Sequence, residues 1–361
     1  VVSVVQIPTT EPVHALAGLG DLNADGLPEL ALGQENFAGG GCPTVDCGAV
    51  QILHIGLAGV GNVFEPRILE PGGLSAGSLF GAAVASLGDL NGDTFPDLAV
   101  GSPGRDGEKG GVWILFLADA GASATSYLLE NSSALLFGAP NTLKVGDHFG
   151  SSLTAAGDLD GNGTTDLVAG LPGQDGTSAG ATAAGSIAFL TLETDGSPTR
   201  PETELNSASA EIPFGFGQAD SGTHTEFGRA LARLDIDGDG DSEILVGAAT
   251  DLIESSAGIV WRLGLNDPDN DQLPDALGEN CPGVSNPSQV DSDRDGVGDA
   301  CDNCREVGNG SDEGICLGGD HLAQRGLFCS SDADCELAVP GTGFCSLDQS
   351  DTDADGVGDA C

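Results

Sequence analysis

Residues 89 to 97 read DLNGDTFPD, which puts Asp89, Asp93 and Asp97 in one short segment broken by glycine and proline. Three like charges so close together repel one another unless a cation lies between them. The same arrangement recurs as DLNADGLPE at 21 to 29, DLDGNGTTD at 158 to 166 and DIDGDGDSE at 235 to 243, with starts 68, 69 and 77 residues apart. Fourfold recurrence at such a period is the mark of a repeat architecture, in which each unit buries its apolar face against the next.

The flanks repeat with the loops. FGAAVASLG (80 to 88), FGSSLTAAG (149 to 157) and FGRALARLD (227 to 235) lead into three of them, whereas VHALAGLG (13 to 20) lacks the Phe-Gly pair. A short apolar strand follows each loop: LALG (30 to 33), LAVG (98 to 101), LVAG (167 to 170) and ILVG (244 to 247). A second follows at GAVQILHI (48 to 55), GVWILFL (111 to 117), GSIAFLTL (185 to 192) and AGIVWRLG (257 to 264). Short apolar runs between turn-forming clusters predict an all-β fold. Each unit of roughly 66 residues has the size of one propeller blade of three or four strands.

Together the Phe-Gly start, the acidic loop and the Leu-x-x-Gly strand resemble the FG-GAP repeats of integrin α-subunit propellers, over residues 13 to 264. The resemblance implies a β-propeller over residues 1 to 265, with blades around 13–79, 80–148, 149–226 and 227–265. Integrin propellers have seven blades and this chain has four, which leaves either a closed four-bladed ring or a partial propeller completed by another chain. The fourth repeat has no outer-strand segment after it. VVSVVQIP (1 to 8) has the β-branched character to supply one, closing the ring in cis or joining a neighbour in trans.

Offsets 1, 3, 5 and 9 of the loops carry oxygen side chains, and offset 7 can offer a backbone carbonyl. These are Asp21, Asn23, Asp25, Leu27 and Glu29; Asp89, Asn91, Asp93, Phe95 and Asp97; Asp158, Asp160, Asn162, Thr164 and Asp166; and Asp235, Asp237, Asp239, Asp241 and Glu243. Calcium takes six to eight oxygens at roughly 2.3 to 2.6 Å in tolerant geometry. An EF-hand needs a glutamate at offset 12, where Leu32, Val100, Ala169 and Val246 stand instead. Magnesium demands stricter octahedral geometry, and zinc would need interleaved histidine or cysteine. Of the four loops, the one at 158 is the weakest match, because Asn162 replaces an acid.

From Asp267 onward the chain is acidic, cysteine-rich and nearly without strand patterns. DPDNDQLPDALGENCP (267 to 282), NPSQVDSDRDGVGDACDNC (286 to 304) and DQSDTDADGVGDAC (348 to 361) are similar to thrombospondin type 3 repeats. That resemblance implies calcium ligands at Asp267, Asp269, Asp271, Leu273 and Asp275; at Asp291, Asp293, Asp295, Val297, Asp299 and Asp302; and at Asp351, Asp353, Asp355, Val357 and Asp359. In the first copy the last acid, Glu279, comes one residue late. The final copy reaches Cys361 one residue before its last acid, which points to a longer protein or to a second molecule completing the site. The tail then divides into type 3-like repeats at 266–304, a disulfide-tied insert at 305–346 and a further repeat at 347–361.

Ten cysteines, eight of them after residue 280, suit an oxidising compartment. Cys42 and Cys47 are expected to close a small blade loop, and the type 3 resemblance implies a Cys281–Cys301 pair. Cys316, Cys329, Cys335 and Cys345 fall in the insert, leaving Cys304 and Cys361 as further partners, with connectivity open.

Fifty-six acidic residues against eleven basic ones give a formal charge of −45, which excludes nucleic acid and anionic membranes as partners and favours cations. The 39% hydrophobic content is too high for a disordered acidic tail. No apolar run approaches the roughly 20 residues of a membrane-spanning helix. The opening VVSVVQ carries no signal-peptide pattern, so any such leader has been removed or lies outside this numbering. His14, His54, His148, His224 and His321 are scattered, and no GxSxG, HExxH or phosphate loop occurs.

The expectation is a non-enzymatic, extracellular protein holding about seven calcium ions. Its role is adhesion or structure, with a protein partner or self-association into filaments through the propeller edge and N-terminal strand. The alternative is a non-catalytic targeting region of a larger secreted enzyme.

Overall fold

The computed structural model describes Thr9 and residues 11–38, 46–54, 67–69, 71–118, 122–130, 143–174, 184–199, 203–205, 226–236, 242–249 and 258–265. In the C-terminal third it describes 280–281, 284–286, 290–292, 297–302, 314–318, 328–329 and 343–346. The chain divides into two compact units, Val1–Leu265 and Asn266–Cys361.

The first unit is all-β and consists of consecutive antiparallel sheets, each a meander in chain order. The first sheet holds β1 (Ala15–Gly20), β2 (Glu29–Gln34), β3 (Ala49–Leu53) and β4 (Arg67–Leu69). The second holds β5 (Val84–Gly88), β6 (Asp97–Gly101), β7 (Gly111–Ala118) and β8 (Ala122–Glu130). The third holds β9 (Leu153–Gly157), β10 (Asp166–Leu171), β11 (Ser186–Leu190) and β12 (Thr203–Leu205). The fourth has three described strands, β13 (Ala230–Leu234), β14 (Glu243–Ala248) and β15 (Ile259–Gly264).

These are the blades of a propeller-type arrangement, but the described sheets do not close into a ring. Residues 1 to 8, expected as the closing strand, lie outside the described residues.

Stacking explains why the middle strands read as unbroken apolar runs. Along β7, Val112, Ile114 and Phe116 join the core shared with the third sheet, where Leu167, Ala169 and Leu190 also lie. The alternate residues Trp113, Leu115 and Leu117 join the core shared with the first sheet, beside Val50, Ile52 and Phe80. A strand with both faces covered loses the apolar-polar alternation of a half-exposed one.

Adjacent sheets are joined at a repeated seam. The backbone of each Phe-Gly pair forms a parallel bridge to the glycine just before the third strand of the preceding sheet: Phe80 to Gly48, Phe149 to Gly110 and Phe227 to Gly185. All three phenylalanines are 0% exposed. The Leu-x-x-Gly glycine forms the second half of the seam. A Cβ added to Gly101 would lie 1.9 Å from the Gly150 carbonyl oxygen, and one added to Gly33 would lie 2.0 Å from that of Gly81. Two backbones approach this closely only where neither carries a side chain.

In the second unit, residues 305 to 346, where the sequence shows few strand signals, contain a small antiparallel sheet. Its strands are β16 (Gly314–Gly318), β17 (Phe328–Cys329) and β18 (Gly343–Ser346), in the order β17-β16-β18. Cys316 and Cys345 stand opposite each other in register. Cys281 and Cys301 are disulfide-bonded, and Cys47 is also in a disulfide. Cys42, Cys304, Cys335 and Cys361 lie outside the described residues.

Gly101→Ala should lower the unfolding free energy by about 3 kcal/mol, the upper part of the usual cost of overpacking. Gly18→Ala has nothing within 4 Å of the added carbon and should change it by less than about 0.5 kcal/mol. Denaturant titration of the two variants measures the difference.

Candidate metal centre in the acidic loops

Each acidic loop joins the first and second strands of a sheet, and its offset-9 acid is the first residue of the second strand: Glu29, Asp97, Asp166 or Glu243. In the first three loops the backbone turns through positive φ at offsets 4 and 6. Glycine occupies most of these positions, but Ala24 (φ 59) and Thr94 (φ 79) hold two of them.

Earlier side chains bind the loop to itself. In the second loop, Asp89 accepts from the N–H groups of Gly92, Asp93 and Thr94 at 2.8 to 2.9 Å, and Phe95 N–H donates to Asp93 at 2.9 Å. In the first, Asp21 accepts from Asp25 and Gly26, and Asp25 from Leu27. Successive oxygens are thereby held on the inner side of the turn.

The third loop brings its carboxylates closest. Ligand oxygens of Asp158, Asp160 and Asp166 all lie within 4.8 Å of one another, the one such three-acid group among the described residues. The sequence ranks this loop lowest because of Asn162, and the geometry gives that residue a different task. Asn162 Nδ2 donates to the Leu192 carbonyl at 2.9 Å, while its Oδ1 accepts from the N–H of Thr164 at 2.8 Å. Thr164 Oγ1 also donates to Leu192 O, and Thr199 Oγ1 donates to Asp160 at 2.9 Å. Asn162 thus ties the loop to the end of the third strand and leaves the three acids to converge.

The offset-9 acids have a role that the spacing did not reveal. All four are buried, at 0 to 1% exposure. Each accepts from the N–H at offset 2: Leu22 to Glu29 at 2.6 Å, Leu90 to Asp97 at 3.0 Å, Leu159 to Asp166 at 2.5 Å and Ile236 to Glu243 at 2.8 Å. The second oxygen reaches the third strand or the residues just beyond it. Leu117 N–H donates to Asp97 at 2.9 Å, Leu192 N–H to Asp166 at 2.8 Å and the Arg262 guanidinium to Glu243 at 3.0 Å. In the first sheet, Glu29 Oε1 lies 3.5 Å from His54 Nδ1, yet it is buried without a hydrogen-bond partner. These acids are staples between the loop and its sheet. A carboxylate has about four acceptor sites, so Asp166 can serve as a staple and still face a cation.

The residues fit a hard dication. A group of three convergent carboxylates, one fully buried, and the orphaned buried oxygen of Glu29 both offer acceptors that a cation would satisfy. Burial pushes the Asp166 carboxyl up to about 7, aided by the nearby charges of Asp160 and Asp158 and opposed by the Leu192 and Leu159 hydrogen bonds. Burial likewise pushes Asp97 up to about 6, with Asp93 adding to the effect.

Of the other expected ligands, Asp237, Asp239 and Asp241 in the fourth loop lie outside the described residues, and Asp235 is at the end of the described stretch. So do Asp267, Asp269, Asp271, Leu273, Asp275, Asp293, Asp295, Asp351, Asp353, Asp355, Val357 and Asp359 in the tail. Asp299 accepts from the N–H and hydroxyl of Ser292, both at 2.8 Å, and Asp302 is buried. Two residues without a sequence signal pack around the tail's disulfide: Asn286 Nδ2 donates to Asn280 Oδ1 at 2.7 Å, and Gly298 N–H donates to Asn280 O at 2.8 Å.

Comparison with known proteins agrees with the repeat geometry. The FG-GAP repeat family matches residues 80–115 and 227–261. Integrin alpha-5 of Xenopus laevis is 35% identical over 161 residues, 44% of this chain and 14% of that protein. Integrin alpha-PS5 of Drosophila melanogaster is 33% identical over 159 residues, 43% of this chain and 14% of that protein. Integrin alpha-3 of Cricetulus griseus is 28% identical over 220 residues, 58% of this chain and 18% of that protein. The chain therefore spans less than a fifth of these relatives' length. Together the matches support an integrin-like FG-GAP domain.

The loop acids serve both the fold and the cavity they line, and substitution separates the two uses. Asp166→Asn turns an amide donor towards one of two N–H groups and should cost about 1 to 3 kcal/mol even without metal. Asp158→Asn, at an exposed position, should leave metal-free stability nearly unchanged; denaturant titration in chelator separates the two.

Asp97 and Asp166 have folded-state values above the ordinary 3.8, so the folded chain binds more protons than the unfolded chain between about pH 4 and 7. Metal-free stability should therefore fall as pH rises through that window, and saturating calcium should remove the fall. Melting curves at pH 4.5 and 7.5, with and without calcium, are the measurement.

Proposed function

We propose that this chain is a calcium-binding module of an extracellular adhesion or structural protein, without catalytic activity of its own. The observation that carries the reading is the convergence of Asp158, Asp160 and Asp166 in a loop type that the sequence repeats four times. An FG-GAP domain similar to integrin α chains is the context that favours adhesion over enzymatic work. The Cys281–Cys301 disulfide suits an oxidising, extracellular setting. No helix among the described residues is long and apolar enough to cross a membrane.

Asp21, Asn23, Asp25 and Glu29, their counterparts in the next two loops, and Asp235 to Glu243 in the fourth are assigned to cations, with the carbonyls at offset 7. Three thrombospondin type 3-like motifs in the tail bring the total to about seven ions. Calcium neutralises carboxylates that would otherwise force the hairpins apart, so its role is structural. It keeps the loop face and the tail rigid enough to present a binding surface. Self-assembly into filaments is a further reading, favoured by the exposed apolar residues on the terminal sheets, Leu16 (64%) and Val260 (67%).

Metal analysis after gel filtration in calcium should find several ions per chain, all removed by a chelator. At free calcium about ten times the dissociation constant, each site adds roughly 1.4 kcal/mol to stability, so the melting temperature should fall steeply on chelation. A metal-free protein with an unchanged melting curve would end the calcium reading. Mass that stays constant through chelation would end the calcium-dependent filament reading.

A further inference from the structure

Within the acidic loops no histidine or cysteine alternates with the acids, so spacing alone argues against zinc. In the first sheet the fold brings a histidine to the loop from elsewhere in the chain. Leu53 pairs with Leu30, so His54, one residue further, stands opposite Glu29. The same place beside the offset-9 acid is taken by Phe116 in the second sheet, Thr191 in the third and Gly264 in the fourth. None of these side chains offers a nitrogen ligand. His54 is 7% exposed and Glu29 0%, and His54 Nδ1 lies 3.5 Å from Glu29 Oε1.

The two atoms meet without a proton between them. Asp25 N–H donates to Asn23 Oδ1 at 2.9 Å, which fixes that amide. Its Nδ2, a donor only, is the atom 3.3 Å from His54 Nδ1, so Nδ1 faces it with a lone pair. Glu29 uses Oε2 to accept from Leu22 N–H, and its Oε1 is buried without a hydrogen-bond partner. In the other three sheets the matching oxygen accepts from Leu117 N–H, Leu192 N–H or the Arg262 guanidinium. The unsatisfied carboxylate oxygen and the nitrogen ligand therefore coincide in one sheet.

Two lone pairs held 3.5 Å apart in the interior match one edge of a metal's coordination shell. Ligands bound at 2.0 to 2.2 Å in a tetrahedron are roughly 3.3 to 3.6 Å apart. Imidazole nitrogen suits zinc and its first-row neighbours, whereas calcium takes oxygen. We propose that His54 Nδ1 and Glu29 Oε1 form a mixed nitrogen–oxygen site for a first-row transition dication of the zinc class, and that His54 turns the first loop away from calcium. The inference rests on the reading of the acidic loops as cation sites and changes which cation the first of them takes. The metal replaces the long Asn23 contact, and water with the loop's exposed acids completes the shell. The second and third loops have no nitrogen at that place and keep their preference for calcium.

Nitrogen-15 histidine spectra of the whole chain, stripped with chelator and titrated with zinc chloride, test it. The expected result is a shift of the His54 Nδ1 resonance with one equivalent of zinc that an excess of calcium does not reverse. His54→Gln should weaken that zinc at least about tenfold in competition with a zinc indicator dye. His14→Gln, which removes an imidazole beside Glu35 at the other end of the sheet, should leave it unchanged. A His54 Nδ1 that carries a proton or ignores zinc overturns the inference, as does displacement of the zinc by an equal concentration of calcium. Equal zinc affinity in His54→Gln, or equal loss in both variants, overturns it too. Where His54→Gln does not fold, the wild-type spectra decide alone. The calcium reading fails separately: a chain whose melting curve ignores calcium while His54 binds zinc loses that reading and keeps this site.

Discussion

The first unit depends on the close approach of backbone to backbone at the Phe-Gly seam. Sheets packed through side chains lie about 10 Å apart and can slide. A carbonyl lodged over a bare Cα cannot, because only a residue without Cβ leaves the space. The seam therefore sets the register between neighbouring sheets and aligns the acidic hairpins. Each phenylalanine beside it adds apolar burial of roughly 1.5 to 3 kcal/mol, as Phe80 does against the edge of Trp113 at 6.4 Å.

The acidic loops solve a local electrostatic problem with the same economy. Early acids in the first three loops are consumed partly by the turn's own N–H groups, in turns that pass through positive φ. The last acid is carried into the core, where it holds the loop's start against the third strand. Burial raises the proton affinity of Asp97 and Asp166, the signature of a carboxylate placed where water cannot stabilise its charge. One side chain thereby couples the hairpin's fold to the electrostatics of the loop.

Much of this was legible from periodicity. The repeat length, the paired apolar strands and the Phe-Gly starts led to an all-β stack of blades; the burial of β7 on both faces came from the structure and accounts for its lack of alternation. Other features carried no local signal. The stapling role of Glu29, Asp97, Asp166 and Glu243 depends on donors up to 26 residues away. The value of Asn162 depends on the Leu192 carbonyl, which spacing within the loop cannot show. The small sheet containing β16 escaped notice because its strands are short and separated by polar, cysteine-bearing chain.

By itself the sequence determined the repeat, the positions of the turns and which residues bear the charge, since these follow from residue type and from periods within one hairpin. Tertiary structure alone decided which acids converge, which are spent as staples, and where neighbouring backbones meet over a glycine. The physical reason is range. Propensity and charge act over a few residues along the chain, whereas the space beside a glycine is set by a neighbouring sheet whose contribution no local pattern encodes.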